Sequence, residues 1–178
     1  MKTRMKLTDR LRVLAGYKMQ SQGRLTICGH LRAWHQDGTL LMDHKNMIVT
    51  AGIDALVDAL QAAAYINTFK YIGFGTAVDA TEAGDTTLGV ELSGGTYARL
   101  TATQGEGASS VVYRLSGVWT NNSSSNPAAV TEYGVFSAAT VGTLLARVST
   151  GDAGPPATKT VATGETITVQ WDFTLADA

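Results

Sequence analysis

A single cysteine, Cys28, is the first shortage that matters. With no second thiol the chain cannot build an intrachain disulfide framework, so a packed core must hold it together. Charge is scarce as well: 16% of residues are Asp, Glu, Lys or Arg, against roughly 25% in an average soluble domain. That excludes a strongly basic nucleic-acid domain, and the 44% hydrophobic content excludes extensive disorder. No apolar run reaches the roughly 18 residues that a membrane-spanning helix requires. At the basic N-terminus, Arg10 and Arg12 interrupt the apolar core that a signal peptide would need. What is abundant is threonine, with 24 residues, and glycine, with 19. Threonine suits strands and glycine suits turns, so the composition is that of a β-rich chain. The length, 178 residues, corresponds to one domain.

The net charge of −1 hides an asymmetry. Residues 1–18 hold six cations and one acid, a charge of +5, whereas residues 19–178 hold eight cations and fourteen acids, a charge of −6. The chain therefore divides into a basic N-terminal arm, residues 1–20, and an acidic body, residues 21–178. Leu7, Leu11 and Leu14 recur at helical spacing among the arm's charges, and Thr8 or Asp9 is placed to cap a short helix. A frayed, solvated terminus is the plain alternative. The six cations are enough to meet phosphates, yet no aromatic residues are interleaved to stack bases, so nucleic acid is an unlikely partner.

Along the body, residues 24–34 read as a strand, His35-Gln36-Asp37-Gly38 as a turn, and residues 39–43 as the returning strand. In that hairpin Trp34 is expected to face Thr39, and His30 to face Asp43. Thr50 opens a helix near 51–63, whose stripe Ile53, Leu56, Val57 and Leu60 reads as core. Strands follow near 69–74, 97–104, 110–119, 129–136, 143–149 and 166–175. In the last of these Ile167, Val169, Trp171, Phe173 and Leu175 alternate with polar residues, the mark of one buried and one wet face. Gly75 to about Ser93 reads as a long acidic loop. The expected fold is mainly β: an antiparallel β-sandwich of about seven or eight strands with one packed helix.

Chemistry-bearing constellations are thin. Cys28, His30, His35 and His44 gather in one hairpin, but the spacing fits no zinc pattern and a second cysteine is lacking. No G-x-S-x-G elbow accompanies the serines and histidines, and Gly73-Phe74-Gly75-Thr76 lacks the rest of a phosphate loop. Asp79, Glu82, Asp85 and Glu91 lie close in one loop, where oxygen ligands could gather calcium, although no EF-hand spacing is present. No catalytic residue, metal ligand or cofactor site is assigned, and the chain reads as a non-enzyme. A low-charge surface is instead what interface cores offer.

Five segments then form an ordered series: Val49–Gly52 at a helix start, Ile72–Thr76 at a strand end, Gly84–Glu91 in the acidic loop, Thr131–Phe136, and Gly164–Trp171 in the last strand. Together they resemble a loosely defined group of tailed-bacteriophage virion proteins, over about residues 46–175. The resemblance implies a structural, non-enzymatic part of the particle, either a head decoration (cement) protein or a tail, collar or fibre component. It implies location in the virion, the major capsid protein or other virion proteins as partners, and a symmetric oligomer, with a trimer as the guess. The docking element would be the arm. Lys2, Arg4, Lys6, Arg10 and Arg12 would steer it to an acidic groove, and Leu7, Leu11 and Leu14 would anchor it. A calcium- or carbohydrate-binding β-sandwich module is the alternative from another class.

Overall fold

The computed structural model describes residues 25–61, 69–93, 97–124, 129–153 and 159–177. The arm residues Lys2, Arg4, Lys6, Leu7, Arg10, Leu11, Arg12 and Leu14 lie outside them.

Within the described residues the chain runs β1 (Leu25–His35), β2 (Leu40–Ile48), α1 (Thr50–Gln61), β3 (Tyr71–Gly75), β4 (Leu100–Thr101), β5 (Thr103–Glu106), β6 (Val112–Thr120), β7 (Glu132–Phe136), β8 (Leu144–Ser149), α2 (Thr150–Ala153) and β9 (Thr166–Asp177). Every pairing is antiparallel, and the order is β4-β3-β7-β8-β2-β1-β9-β6-β5. The expected β-sandwich is the architecture found, with nine strands among the described residues because the 97–104 segment becomes two.

That split is a corner. β4 pairs with β3, β5 pairs with β6, and only Ala102 separates them. The Ala102 N–H donates to the Lys70 carbonyl at 2.8 Å, so the bend leaves no open backbone donor. β2 makes the opposite corner, pairing with β1 up to Asn46 and with β8 at Met47 and Ile48. One sheet thus folds into two layers, a front layer β2-β1-β9-β6-β5 and a back layer β4-β3-β7-β8-β2, and nearly closes on itself.

The core lies between the layers. Phe74 from the back stacks on Trp119 from the front at 4.6 Å between centroids, and Tyr133 meets Phe74 edge-on at 5.6 Å. The N–H groups of the two buried tryptophans are satisfied, Trp119 by the Ala98 carbonyl at 3.1 Å and Trp171 by Asn46 Oδ1 at 2.8 Å. In β9, Ile167, Val169, Trp171 and Phe173 are buried as the alternation requires, while Leu175 emerges at the sandwich end, 40% exposed.

Two local readings change. The hairpin turn is a three-residue loop: His35 N–H donates to Thr39 O, Gly38 N–H donates to His35 O, and Gly38 takes φ +86°. That loop sets Trp34 opposite Leu40, not Thr39, and a bulge between Ala33 and Trp34 adds one residue more, which sets His30 opposite Lys45, not Asp43. The His30 side chain still reaches Asp43 diagonally, at 2.6 Å. In α1 the face toward the body is Gly52, Ala55 and Leu56, because a Cβ on Gly52 would lie 2.5 Å from the Leu145 carbonyl oxygen. Ile53 therefore turns outward, 46% exposed, and is not core.

The Tyr133 hydroxyl is buried and has no hydrogen-bond partner among the described residues, and burial pushes its pKa well up. Removing an unpaired buried polar group removes its desolvation cost. Tyr133→Phe is accordingly expected to be neutral or to stabilise by up to about 1 kcal/mol, read as a higher urea midpoint at unchanged m-value.

Candidate functional site

The back layer's outer surface is not open to water. Residues 76–92 cross it as a strap, and Leu88 joins Val49, Phe136 and Leu144 in a second, smaller apolar cluster. Glycine makes the close approach feasible. A Cβ at Gly134 would sit 2.8 Å from Leu88, and one at Gly75 would sit 2.3 Å from Glu132 Oε1.

The strap is fastened by one buried carboxylate. Glu132, at the start of β7, is 0% exposed. Its Oε1 accepts the Val90 N–H at 2.8 Å and the Ala77 N–H at 3.3 Å. Its Oε2 accepts the Gly89 N–H at 2.9 Å and Arg147 Nε at 3.0 Å. Both ends of the strap therefore converge on one side chain. Arg147, on β8, is 1% exposed and forks to Asp85 and Asp79, each at 2.9 Å. Burial alone would depress its pKa, but the three carboxylates around it raise it. The Arg147 hydrogen bond holds the Asp79 carboxyl below its usual range. Ser149 Oγ donates to the Asp79 carbonyl, and Thr81 donates from backbone and hydroxyl to Asp152 of α2 at 2.7 and 2.9 Å.

A second clasp holds the next turn of chain. Arg99 grips Glu91 with Nε and a terminal nitrogen at 2.6 and 2.9 Å, and its third nitrogen donates to the carbonyls of Ala138 and Thr140. Its guanidinium lies 3.4 Å from the Phe136 ring centre, a stacked cation–π contact.

These contacts decide how the acidic loop reads. Asp79 and Asp85 face Arg147, and Glu91 faces Arg99. Among the described residues no three His, Cys, Asp or Glu side chains are grouped to hold a metal ion. The hairpin residues also separate. Cys28 is exposed, His30 pairs with Asp43, and His44 lies opposite Leu31, whose side chain is core. His35 is buried at the far end, between Glu165 at 3.1 Å and Lys159 at 3.0 Å. Asp37 is held well below its usual pKa by the Lys159 ammonium, and Glu165 is held low by the Ala162 N–H and His35.

The geometry is thus that of a fastening: both oxygens of Glu132 and all three nitrogens of Arg147 are engaged. Neither residue stood out as a site in the sequence. The available signal was a lone arginine inside the otherwise unbroken apolar run of β8, Leu144-Leu145-Ala146-Arg147-Val148. Compared with protein-family models, curated proteins and solved structures, the chain matches none.

Glu132→Ala would leave Arg147 buried with less compensation and three strap amides unsatisfied. The expected loss is about 3–5 kcal/mol, measured as a fall in urea midpoint. The acid side follows from the sign of the shifts. Asp37, Asp79, Glu165 and Asp172 all have lowered folded-state values. Their stabilisation is full above the unfolded carboxylate range and is lost as pH falls below about 4. Thermal midpoints should therefore be flat near neutrality and drop steeply in acid.

Proposed function

We propose that this chain is a structural protein of a tailed-bacteriophage particle, and specifically an accessory decoration (cement) protein that binds capsid subunits. The observation that carries the reading is spatial. Four of the five segments behind the resemblance meet at one place: Gly52 against Leu145, Gly73 and Gly75 under the strap, Gly84–Glu91 as the strap itself, and Thr131–Phe136 supplying Glu132. A pattern scattered over some ninety residues of sequence describes one packed unit. The fifth segment, Gly164–Trp171, places Glu165 at the far end and Trp171 in the core.

The physical character of the body supports the same reading. Its cations are largely consumed internally, its sheet corners are closed, and its loop is pinned by buried charge; these features suit a part that must persist and pack. In this proposal the basic arm makes the docking contact. Lys2, Arg4, Lys6, Arg10 and Arg12 meet an acidic groove on the shell, with Leu7, Leu11 and Leu14 as anchors.

Copy number in purified virus tests this, by quantitative mass spectrometry against the major capsid protein. A ratio near one, or one per few capsid subunits, is the expected result. A few to a few dozen copies per particle would move the chain to the tail, collar or fibre, and absence from the particle would overturn the virion reading. In the head reading, replacing Lys2, Arg4, Lys6, Arg10 and Arg12 by glutamine abolishes shell binding and leaves the urea midpoint of the body unchanged.

A further inference from the structure

The two outer surfaces of the sandwich differ in charge and match in apolar content. The strap and α1 turn Asp54 and Glu82 outward and leave Asp79 largely exposed beside Arg147; Arg99 and Arg147 are paired with carboxylates, and Lys70 lies over the Tyr71 ring. The same surface exposes Ile53, Val78 and Val90 at 46%, 64% and 56%.

The front layer's outer surface is the reverse. Register places Lys45, His30, Asp172 and Arg114 in one row, then Asp43, Arg32, Gln170 and Ser116, then Leu40, Trp34, Thr168 and Val118. Arg114 grips Asp172 at 2.6 and 2.7 Å, and Arg32 approaches the same carboxylate at 3.4 Å. Three cations therefore stand against two carboxylates on this face, in a body whose overall charge is negative. Trp34, half-buried, and Val118, 54% exposed, form its apolar row.

We infer that these surfaces are complementary halves of one self-association interface, in which the front face of one copy seats on the strap face of a second copy. Charge complementarity selects that occupant: the mildly basic, valine-bearing face opposes the acidic, valine-bearing one. Because the two halves are different surfaces, the association is heterologous, running head to tail, and closes into a ring or extends as a stack according to the rotation between copies. The inference stands apart from the virion reading, since it concerns the free full-length chain.

Analytical ultracentrifugation of that chain across a concentration series provides the test. The wild type should show mass rising with concentration, and less so at high salt. Val118→Asp, in the basic face, and Val90→Lys, in the acidic face, should each weaken association by about tenfold or more. Both positions are exposed, so urea midpoints should stay near wild type; Val78→Lys replaces Val90→Lys if that variant does not fold. Mixing the two variants is the decisive arm. Every contact in an alternating assembly is then either wild-type on wild-type or Asp on Lys, so association should return. A wild type that stays monomeric throughout, variants that associate as wild type does, or a mixture that remains dissociated would each overturn the head-to-tail interface.

Discussion

The buried carboxylate of Glu132 is the constraint from which most of the back half of the molecule follows. A charge at zero exposure costs several kcal/mol unless its surroundings replace water. Here the replacement is three backbone N–H groups from the strap and one guanidinium. Once those donors are required, the path of residues 77–90 is set, since Ala77, Gly89 and Val90 must all point at one side chain. Leu88 is then carried onto Gly134 and Phe136, and the outer surface of the back layer is sealed. Arg147 extends the same logic. It neutralises Glu132 and gathers Asp79 and Asp85, so four residues far apart in sequence form one network. Such networks are worth most when every member is satisfied, and here both central groups are.

Closure of the sheet is the second constraint, and it comes from short segments. β2 changes partner within two residues of Asn46, and the β4–β5 strand changes partner across Ala102. Interior aromatics make the closure worthwhile. Phe74 and Trp119 come from opposite layers and stack in the middle, which needs the layers held face to face. The consequence is an asymmetric particle. One broad surface is bare sheet, with side chains in rows. The other is loop and helix over a second apolar cluster.

Strand existence was legible wherever alternation ran long. β9 is the clearest case, because Ile167 to Phe173 obey a period of two that only a one-sided strand explains. The Asp37-Gly38 turn was equally plain, but the bulge after it was not. The three-residue loop moves the register by one residue at Trp34, and the bulge beyond it adds a second at His30, without changing residue types, so both acquired different partners from those that simple counting gives. The strap was legible only as a loop. Its order depends on Glu132 and Arg147, which lie 42 to 68 residues away in sequence, and pairing over such distances leaves no local pattern. Asp79, Asp85 and Glu91 of that loop therefore read as solvated acids, or as oxygen ligands for calcium, when they are arginine partners. Ile53 failed for a related reason: hydrophobic periodicity assigns a helix face, but Gly52 must meet Leu145, and that choice rotates Ile53 outward.

The distribution of unspent charge bears on how the molecule meets others. Of the eight cations beyond residue 18, Arg147 is enclosed by carboxylates, Arg99 is paired with Glu91, and Lys159 is tied to Asp37 and His35. Arg32 and Arg114 share Asp172, which leaves their face only mildly positive. The dense basic charge is confined to the first 18 residues. In the proposed docking, long-range attraction of an acidic partner would act on the arm, at distances up to roughly the 8–10 Å screening length. The faces, in the proposed self-association, would act at contact, through valines, tryptophan and a few partly compensated ions. The two proposals together separate capture from seating, with charge on the arm for the first and complementary surface on the body for the second.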